Sequence, residues 1–279
     1  LEQEFDMFDK NSSIAVIGCG NIGESIVRGM VLSGNFEPSK IFACDKDEIK
    51  LKNLSSELKV NTAIDPVVAV KNAEIIVLAV KPKIVDAVLA ELNKLANQSQ
   101  GEKLIISVAA GVSLSFLKEH TKIKAEFVRV MPNLPCAVLK GVSGIYSESA
   151  KNLPLARQIF EAVGATVSLD NESQIAAVTA LSGSGPGFVY YLIESFIEAG
   201  IKQGLTKEQA GVLVSHTFLG AATMLDSTTD DAEILRKKVT TPGGTTEAGL
   251  KRMDELELRH IIEEVVSASA GRAREDMSK

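Results

Sequence analysis

A layered α/β domain followed by an all-helical domain is the class this sequence predicts, and three observations predict it. Short apolar runs recur from Ser13 to Leu169, separated by stretches with helical spacing. The first run ends in Gly18-Cys19-Gly20-Asn21-Ile22-Gly23, a G-x-G-x-x-G pattern at the start of a helix. From Asn171 onward the strand-like runs give way to helical periodicity.

In chain order, strands are expected over Ser13–Gly18, Lys40–Asp45, Glu74–Val80, Lys103–Val108, Glu126–Pro132, Val142–Tyr146 and, more briefly, Ala165–Leu169. They read as apolar runs rather than alternations, as strands buried on both faces do. Helices are expected over Ile22–Leu32, Asp47–Leu54, Ile84–Leu92, a short stretch after Ser113, and Pro154–Val163. The alternation argues for a sheet with helices on both sides. In the second half, Asn171 with Gln174 opens one helix, and Ser182-Gly183-Ser184-Gly185-Pro186-Gly187 interrupts it. A long helix through Phe188, Leu192, Phe196 and Ala199 ends at Gly204. Thr206 and Gln209 form a capping box for the next, which runs to about Leu225. Asp230 or Asp231 caps a short helix ending near Lys238, and helices over Glu247–Glu255 and Glu257–Ala270 precede a frayed tail. The expected domains are 11–170 and 171–279.

The glycines have a chemical reading. After a strand, Gly18 allows the turn, Gly20 lets backbone approach a pyrophosphate, and Gly23 permits close helix–strand packing. The N–H groups that open the helix then face the phosphates. This is the fingerprint of a Rossmann-type dinucleotide-binding domain. Asp45, at the end of the second strand, can accept from ribose hydroxyls, which favours NAD(H), or can cap a helix. Lys46 and Lys50 can neutralise a 2'-phosphate, which favours NADP(H). Lys81 and Pro82 after the third long strand, Ala109 after the fourth and Asn133 after the fifth stand where open α/β sheets bind ligands. Asn133 can bond a carboxamide or hold its own loop.

Composition narrows the function classes. The chain has 279 residues, a formal charge of -6 and no basic block, so nothing marks a nucleic-acid or anionic-membrane footprint. Three separated cysteines, Cys19, Cys44 and Cys136, suit neither a disulfide scaffold nor a metal site, and a cytoplasmic protein is expected. No apolar run reaches membrane-spanning length. The helix around Phe188–Ile201 is apolar on most sides, which points to burial against a second copy, with burial against the sheet domain as the alternative.

Val239-Thr240-Thr241-Pro242-Gly243-Gly244-Thr245-Thr246-Glu247 is oddly polar for a helix–helix connection. Thr245 or Thr246 can cap the following helix, and its N-terminus with nearby hydroxyls suits a small carboxylate. None of the three histidines falls in a loop facing the expected site. Hydride transfer needs no acid–base side chain if the acceptor is a protonated imine.

Ile17-Gly18-Cys19-Gly20-Asn21-Ile22-Gly23, Leu78–Pro82, Val108–Val112, Val128–Pro135, Ala180–Pro186, Leu219–Leu225 and Thr240–Thr246 together resemble the pyrroline-5-carboxylate reductases, over nearly the whole chain from Ile14. The resemblance implies a Rossmann domain followed by an all-α dimerisation domain like that at the C-terminus of 6-phosphogluconate dehydrogenase, assembled as a homodimer or a homodecamer. It implies reduction of 1-pyrroline-5-carboxylate, a cyclic imine, to L-proline, with NADP(H) ahead of NAD(H). It places Thr246 on the ring nitrogen as the catalytic group, and Thr241 with the Gly243, Gly244 and Thr245 amides on the substrate carboxylate. Gly18, Gly20, Asn21, Ile22, Gly23, Asp45, Lys46, Ala79, Lys81, Pro82, Ala109, Asn133 and Lys238 are the implied cofactor contacts, and no metal is implied. Lys238 stands where the family carries an amide, and Asp45 where NADPH-preferring members carry a neutral or basic residue. The rival readings are a β-hydroxyacid dehydrogenase, which lacks its Lys and Asn pair here, an F420-dependent oxidoreductase, and a non-catalytic NAD(P)-binding redox sensor.

Overall fold

The computed structural model describes residues 12–96 and 101–277. The expected domain limits at residues 11 and 279 lie outside the described residues. Two compact units are present: one runs through Ser184 and takes up the chain again from Ser269, and the other is Gly185–Ala268.

The first unit is an eight-stranded sheet. Its strands are β1 Ile14–Ile17, β2 Ile41–Cys44, β3 Asn61–Ala63, β4 Ile75–Leu78, β5 Lys103–Ser107, β6 Ala125–Met131, β7 Gly141–Tyr146 and β8 Gly164–Ser168. The order is β3-β2-β1-β4-β5-β6-β7-β8. All neighbours are parallel except β6 and β7, which pair antiparallel through Arg129↔Tyr146 and Val130↔Ile145. The switch point lies at β1, whose neighbours β2 and β4 are reached in opposite directions, so its C-terminal end opens onto a crevice.

Alternate residues of β1 feed two cores. Ile14 and Val16 pack with α1 Asn21–Leu32 and α6 Leu153–Glu161, through Ile26, Met30 and Phe160. Ala15 and Ile17 pack on the other face with α4 Pro82–Leu92 and α5 Leu114–His120, through Val85, Leu89 and Leu117. Every residue of β1 and β4 is buried, the pattern of a strand covered on both sides.

Several expectations change in detail. Helix α2, Glu48–Leu58, is capped by Asp47, which accepts from Lys50 N at 3.0 Å, and not by Asp45. Strand β3 and the short helix α3, Pro66–Val70, were not expected. Strand β3 is mostly polar, and α3 is an apolar stretch of 5 residues, too short to show a helical period. The segment Ser182–Gly187 does not break the chain into a loop. Helix α7, Gln174–Val178, runs into a π-helical turn at Thr179–Gly183. A Cβ on Gly183 would lie 2.6 Å from the terminal methyl of Met131 on β6, so the wide turn packs directly against that side chain. Gln174 does accept from the Asn171 N–H, but the residue before α7 is Ser173 and makes no side-chain cap.

In the second unit, α8 Gly185–Lys202 and α9 Lys207–Ser227 form an antiparallel pair, with Phe196 meeting Phe218 edge-on at 5.6 Å. The capping box of Thr206 and Gln209 is complete. Helix α10 Ala232–Lys238 is capped by Asp231, which accepts from Ile234 N at 2.8 Å. Helix α11 spans Thr245–Glu255. Helix α12, Leu258–Met277, leaves this unit and continues into the first, so residues 271–277 are helical and not frayed.

Helix α8 buries none of its residues in the single chain. Tyr191 is 70% exposed, Leu219 63%, and Leu213, Met224 and Ile262 are also open. An apolar helix with this much exposed surface is unsatisfied as a monomer.

Candidate active site

The glycine loop is built so that backbone alone lines it. Gly18 has φ +95° and would set a Cβ 2.7 Å from the Ala79 carbonyl oxygen. At Gly23 a Cβ would fall 1.8 Å from Gly18 O, so α1 can pack this close only with glycine there. Gly20 faces open space, and as the residue capping α1 it makes no side-chain bond to the helix. The amides of Asn21, Ile22 and Gly23 at the first turn of α1 are thus left for an outside acceptor. A dinucleotide pyrophosphate fits this cradle. Ala79 N donates to Ile17 O at 2.8 Å, which fixes the floor of the loop on β1.

Asp45 holds the cradle in place. Its Oδ2 accepts from Cys19 N at 2.7 Å and its Oδ1 from Asp47 N at 3.0 Å. Burial first, and the Asp45 charge second, push the Cys19 thiol up to about 12. Burial followed by Asp45 does the same to Cys44. Lys50 opposes this at Cys19, so its charge stands close to the loop. Lys46 is exposed.

The other implied cofactor residues sit at C-terminal strand ends. Lys81 precedes α4 and Pro82 is its first residue, so a cation and a helix N-terminus coincide there. Ala109 is buried, and its N–H meets Ser107 Oγ at 3.3 Å. Asn133 is buried with both ends of its amide engaged: Oδ1 accepts from Val142 N at 2.9 Å, and Nδ2 donates to Ser182 O at 3.2 Å. Of its two sequence readings, these bonds are those of the loop holder.

A buried ion pair that sequence reasoning passed over lies nearby. Arg129 on β6 is 1% exposed and donates to Glu172 Oε1 at 2.7 Å. The same oxygen accepts from Leu114 N at 2.8 Å, at the start of α5. Burial lowers the Arg129 pKa, and Glu172 opposes the shift. A charged residue inside the apolar run Phe127–Met131 was the available signal, since such a residue needs a partner.

In the second unit the threonine and glycine loop is closed by its own bonds. Thr240 Oγ1 donates to Arg236 O at 2.7 Å and finishes α10. Gly243 has φ +71°, and a Cβ on Gly244 would meet Thr241 Oγ1 at 2.5 Å, so both positions require glycine. Gly244 N donates to Thr241 O at 2.9 Å. Gly243 N donates to Glu247 Oε2 at 2.7 Å, an intraloop bond the sequence reading had not foreseen. Helix α11 starts at Thr245 and is preceded by Gly244 with no side-chain cap, so neither Thr245 nor Thr246 caps it. Both threonines lie exposed in its first turn, with Thr241 also exposed. Lys238 pairs with Asp230, and Lys237 with Glu233 at 2.7 Å. The two unconventional lysines are therefore paired within the unit.

Among the described residues no group of three His, Cys, Asp or Glu side chains is placed to hold a metal ion, and no helix is long and apolar enough to cross a membrane.

Residues 172–276 match the family described as pyrroline-5-carboxylate reductase dimerisation, and residues 13–111 match NADP oxidoreductase coenzyme F420-dependent. A pyrroline-5-carboxylate reductase of Methanosarcina acetivorans is 36% identical over 95% of this chain and 98% of its own. One from Pseudomonas aeruginosa is 37% identical over 94% and 96%. The solved structure of the Coxiella burnetii pyrroline-5-carboxylate reductase superposes with a TM-score of 0.90 at 34% identity, covering 95% of this chain and 98% of that one. The Plasmodium falciparum pyrroline carboxylate reductase with NADP bound gives 0.81 at 26% identity, covering 97% and 100%. Matched over nearly its whole length by such relatives, and over residues 172–276 by the dimerisation family, the chain belongs to the pyrroline-5-carboxylate reductase family.

Proposed function

We propose that this chain reduces 1-pyrroline-5-carboxylate to L-proline with a reduced nicotinamide dinucleotide, completing proline synthesis in the cytoplasm. The observation that carries the reading is the joint presence of an uncapped glycine cradle and an uncapped helix start at Gly244-Thr245-Thr246. When bound, the dinucleotide supplies hydride. The acceptor carbon of a protonated cyclic imine is already electrophilic, so the protein's task is positioning.

Each residue role follows from that task. The first-turn amides of α1 and the glycines Gly18, Gly20 and Gly23 hold the pyrophosphate, with Asn21 and Ile22 over it. Asp45 fixes the loop and meets the adenine ribose, and Lys46 stands beside it. Ala79, Lys81, Pro82 and Ala109 line the cofactor cleft, and Asn133 shapes it by holding the β6–β7 connection. In the second unit, Thr246 bonds the ring nitrogen. The exposed Thr241 hydroxyl and the Thr245 amide take the substrate carboxylate, while the Gly243 and Gly244 amides stabilise the loop in its receptive shape. Lys238 supports that loop through Asp230. NADP(H) is the proposed first cofactor and NAD(H) the second. The segments 11–170 and 171–279 are proposed as the dinucleotide-binding and the dimerisation and substrate-binding domains. The open apolar residues of α8, α9 and α12 support a homodimer formed through the helical part; a homodecamer of such dimers is the larger assembly to be distinguished from it.

Steady-state oxidation of NADPH and of NADH in the presence of pyrroline-5-carboxylate tests the activity. Turnover with either cofactor and formation of proline is expected; its absence with both overturns the reading. Light scattering of the purified protein separates monomer, dimer and decamer.

A further inference from the structure

Glu172 joins three segments of the first unit. Its Oε1 accepts from Arg129 Nη1 at 2.7 Å and from Leu114 N at 2.8 Å. Arg129 lies on β6, and Leu114 is the first residue of α5, 58 positions before Glu172 in the chain. Leu114 also ends the turn that leaves β5 at Ser107. Inside this turn Ala109 N meets Ser107 Oγ at 3.3 Å, and Val112 N donates to Ala109 O at 3.3 Å. Ser113 Oγ is taken by Phe116 N at 3.1 Å, so it does not serve Leu114 N. The crest is seated from another side. Gly111 has φ +77°, and a Cβ there would lie 3.2 Å from Asp276 O at the end of α12. Ala109 belongs to the cofactor cleft proposed above, and Ala110, Gly111 and Val112 line one cavity of about 300 Å³ with Pro82. A shift at Leu114 is therefore passed to the cofactor wall.

Stability alone does not account for the pair that Glu172 makes. Arg129 is almost wholly buried, and its Nη2 is buried with no hydrogen-bond partner. A buried cation with a donor unmet costs free energy that an apolar pair of similar volume avoids. An apolar pair cannot supply an acceptor at a fixed point. Leu114 N opens α5 and has no partner within the helix, so it needs one. Arg129 holds the Glu172 carboxylate in the orientation that provides it.

We propose that Glu172 is a positioning residue for the dinucleotide. Oriented by Arg129, it fixes Leu114 N and so sets the Ala109–Val112 wall of the cleft. This role rests on the dinucleotide binding proposed above and is independent of which imine is reduced.

Calorimetric titration of the full chain with whichever of NADPH and NADH binds more tightly, in the absence of imine, tests this beside thermal unfolding. Glu172→Ala should raise the dinucleotide Kd about 10-fold, the cost of one charge-assisted bond. Glu172→Gln keeps an oxygen for Leu114 N and should stay within about twofold. Because Glu172→Ala also strands the Arg129 charge, the double variant Arg129→Met, Glu172→Leu separates geometry from stability. It holds no unpaired charge and should melt close to the unmodified chain. It offers Leu114 N no acceptor, so its Kd should remain as high as that of Glu172→Ala. Tight binding by the double variant or by Glu172→Ala overturns the proposal, as does equal weakness of Glu172→Gln and Glu172→Ala. In turnover, KM for the dinucleotide should rise in Glu172→Ala while KM for the imine stays within about twofold. Equal rises in both KM values overturn the positioning role in favour of general loosening. If pyrroline-5-carboxylate is not turned over while the Kd pattern holds, the reductase reading falls and the role of Glu172 stands.

Discussion

Asp45 Oδ2 accepts a hydrogen bond from Cys19 N at 2.7 Å, tying the end of β2 to the centre of the glycine loop. Its other oxygen accepts from Asp47 N, so one carboxylate fixes two backbone segments at the mouth of the dinucleotide cradle. In the ribose contact proposed for Asp45, the same negative charge opposes a 2'-phosphate. Asp45→Ala is therefore expected to do two things. Thermal or urea unfolding should show a loss of about 1–3 kcal/mol, from backbone donors left without acceptors. The ratio of kcat/KM for NADPH over NADH should rise, because a repulsive charge is gone. A lower ratio would remove Asp45 from the ribose end of the site.

Thr246 separates function from stability. Gly244 precedes α11 without a side-chain cap, and Thr246 lies exposed in the first turn. Thr246→Ala should leave the melting temperature almost unchanged, since alanine is a good helix former. Turnover of pyrroline-5-carboxylate should fall about 10-fold or more, the cost of one lost orienting hydrogen bond. Near-normal kcat/KM would sink the role given to this hydroxyl.

Glu247 shapes the loop through a backbone amide. Its carboxylate takes the Gly243 N–H at 2.7 Å. Glu247→Ala should raise KM for the imine several-fold, about 1 kcal/mol of loop order, with a smaller effect on KM for the dinucleotide. Glu247→Gln keeps an acceptor oxygen and should recover most of the loss. Equal damage from both variants would point to the charge instead of the bond.

The buried pair of Arg129 and Glu172 predicts an asymmetric response. Arg129→Met leaves Glu172 without its partner, and urea denaturation should register a loss of about 3 kcal/mol, the lower end for a broken buried pair because Glu172 is partly exposed. Glu172→Gln should cost less, because its amide oxygen still accepts from Leu114 N and from Arg129. A larger loss for Glu172→Gln than for Arg129→Met would contradict this account.

The two thiols beside the loop set an alkaline limit. Cys19 and Cys44 titrate near 9.0 when unfolded and at about 12 when folded. Their neutral forms stabilise the fold fully below pH 9, and that contribution is lost as pH rises from 9 toward 12, because only the unfolded chain releases the protons. Unfolding free energy measured across that window should fall, and by less in Cys19→Ala, Cys44→Ala protein once its lower baseline is subtracted. Native protein at neutral pH should also resist thiol alkylation at both positions.

Strand runs, the glycine fingerprint and the helical second half were legible in the sequence because each rests on local chemistry. Apolar runs can only be satisfied between two helical layers. Glycines mark places where a Cβ has no room, as at Gly23 and Gly244. A threonine three residues before a glutamine caps a helix, as Thr206 does. Family resemblance extended this to the threonine and glycine loop, since its motif is as local as the others.

Long-range partners were not legible. Asp45 could be read as a cap or a ribose ligand, and only the folded chain brings it to Cys19, 26 positions away. Asn133 pointed equally to ligand and loop, and its bonds to Val142 and Ser182 form only on folding. Lys238 was an implied cofactor contact in the place of a family amide, and the turn after α9 delivers Asp230 to it. Arg129 gave a warning in its strand, but its partner Glu172 lies 43 positions on. Sequence spacing fixes what a residue can do within a turn or two of backbone. Which of those capacities is used depends on the few ångströms to a group the chain reaches only when folded.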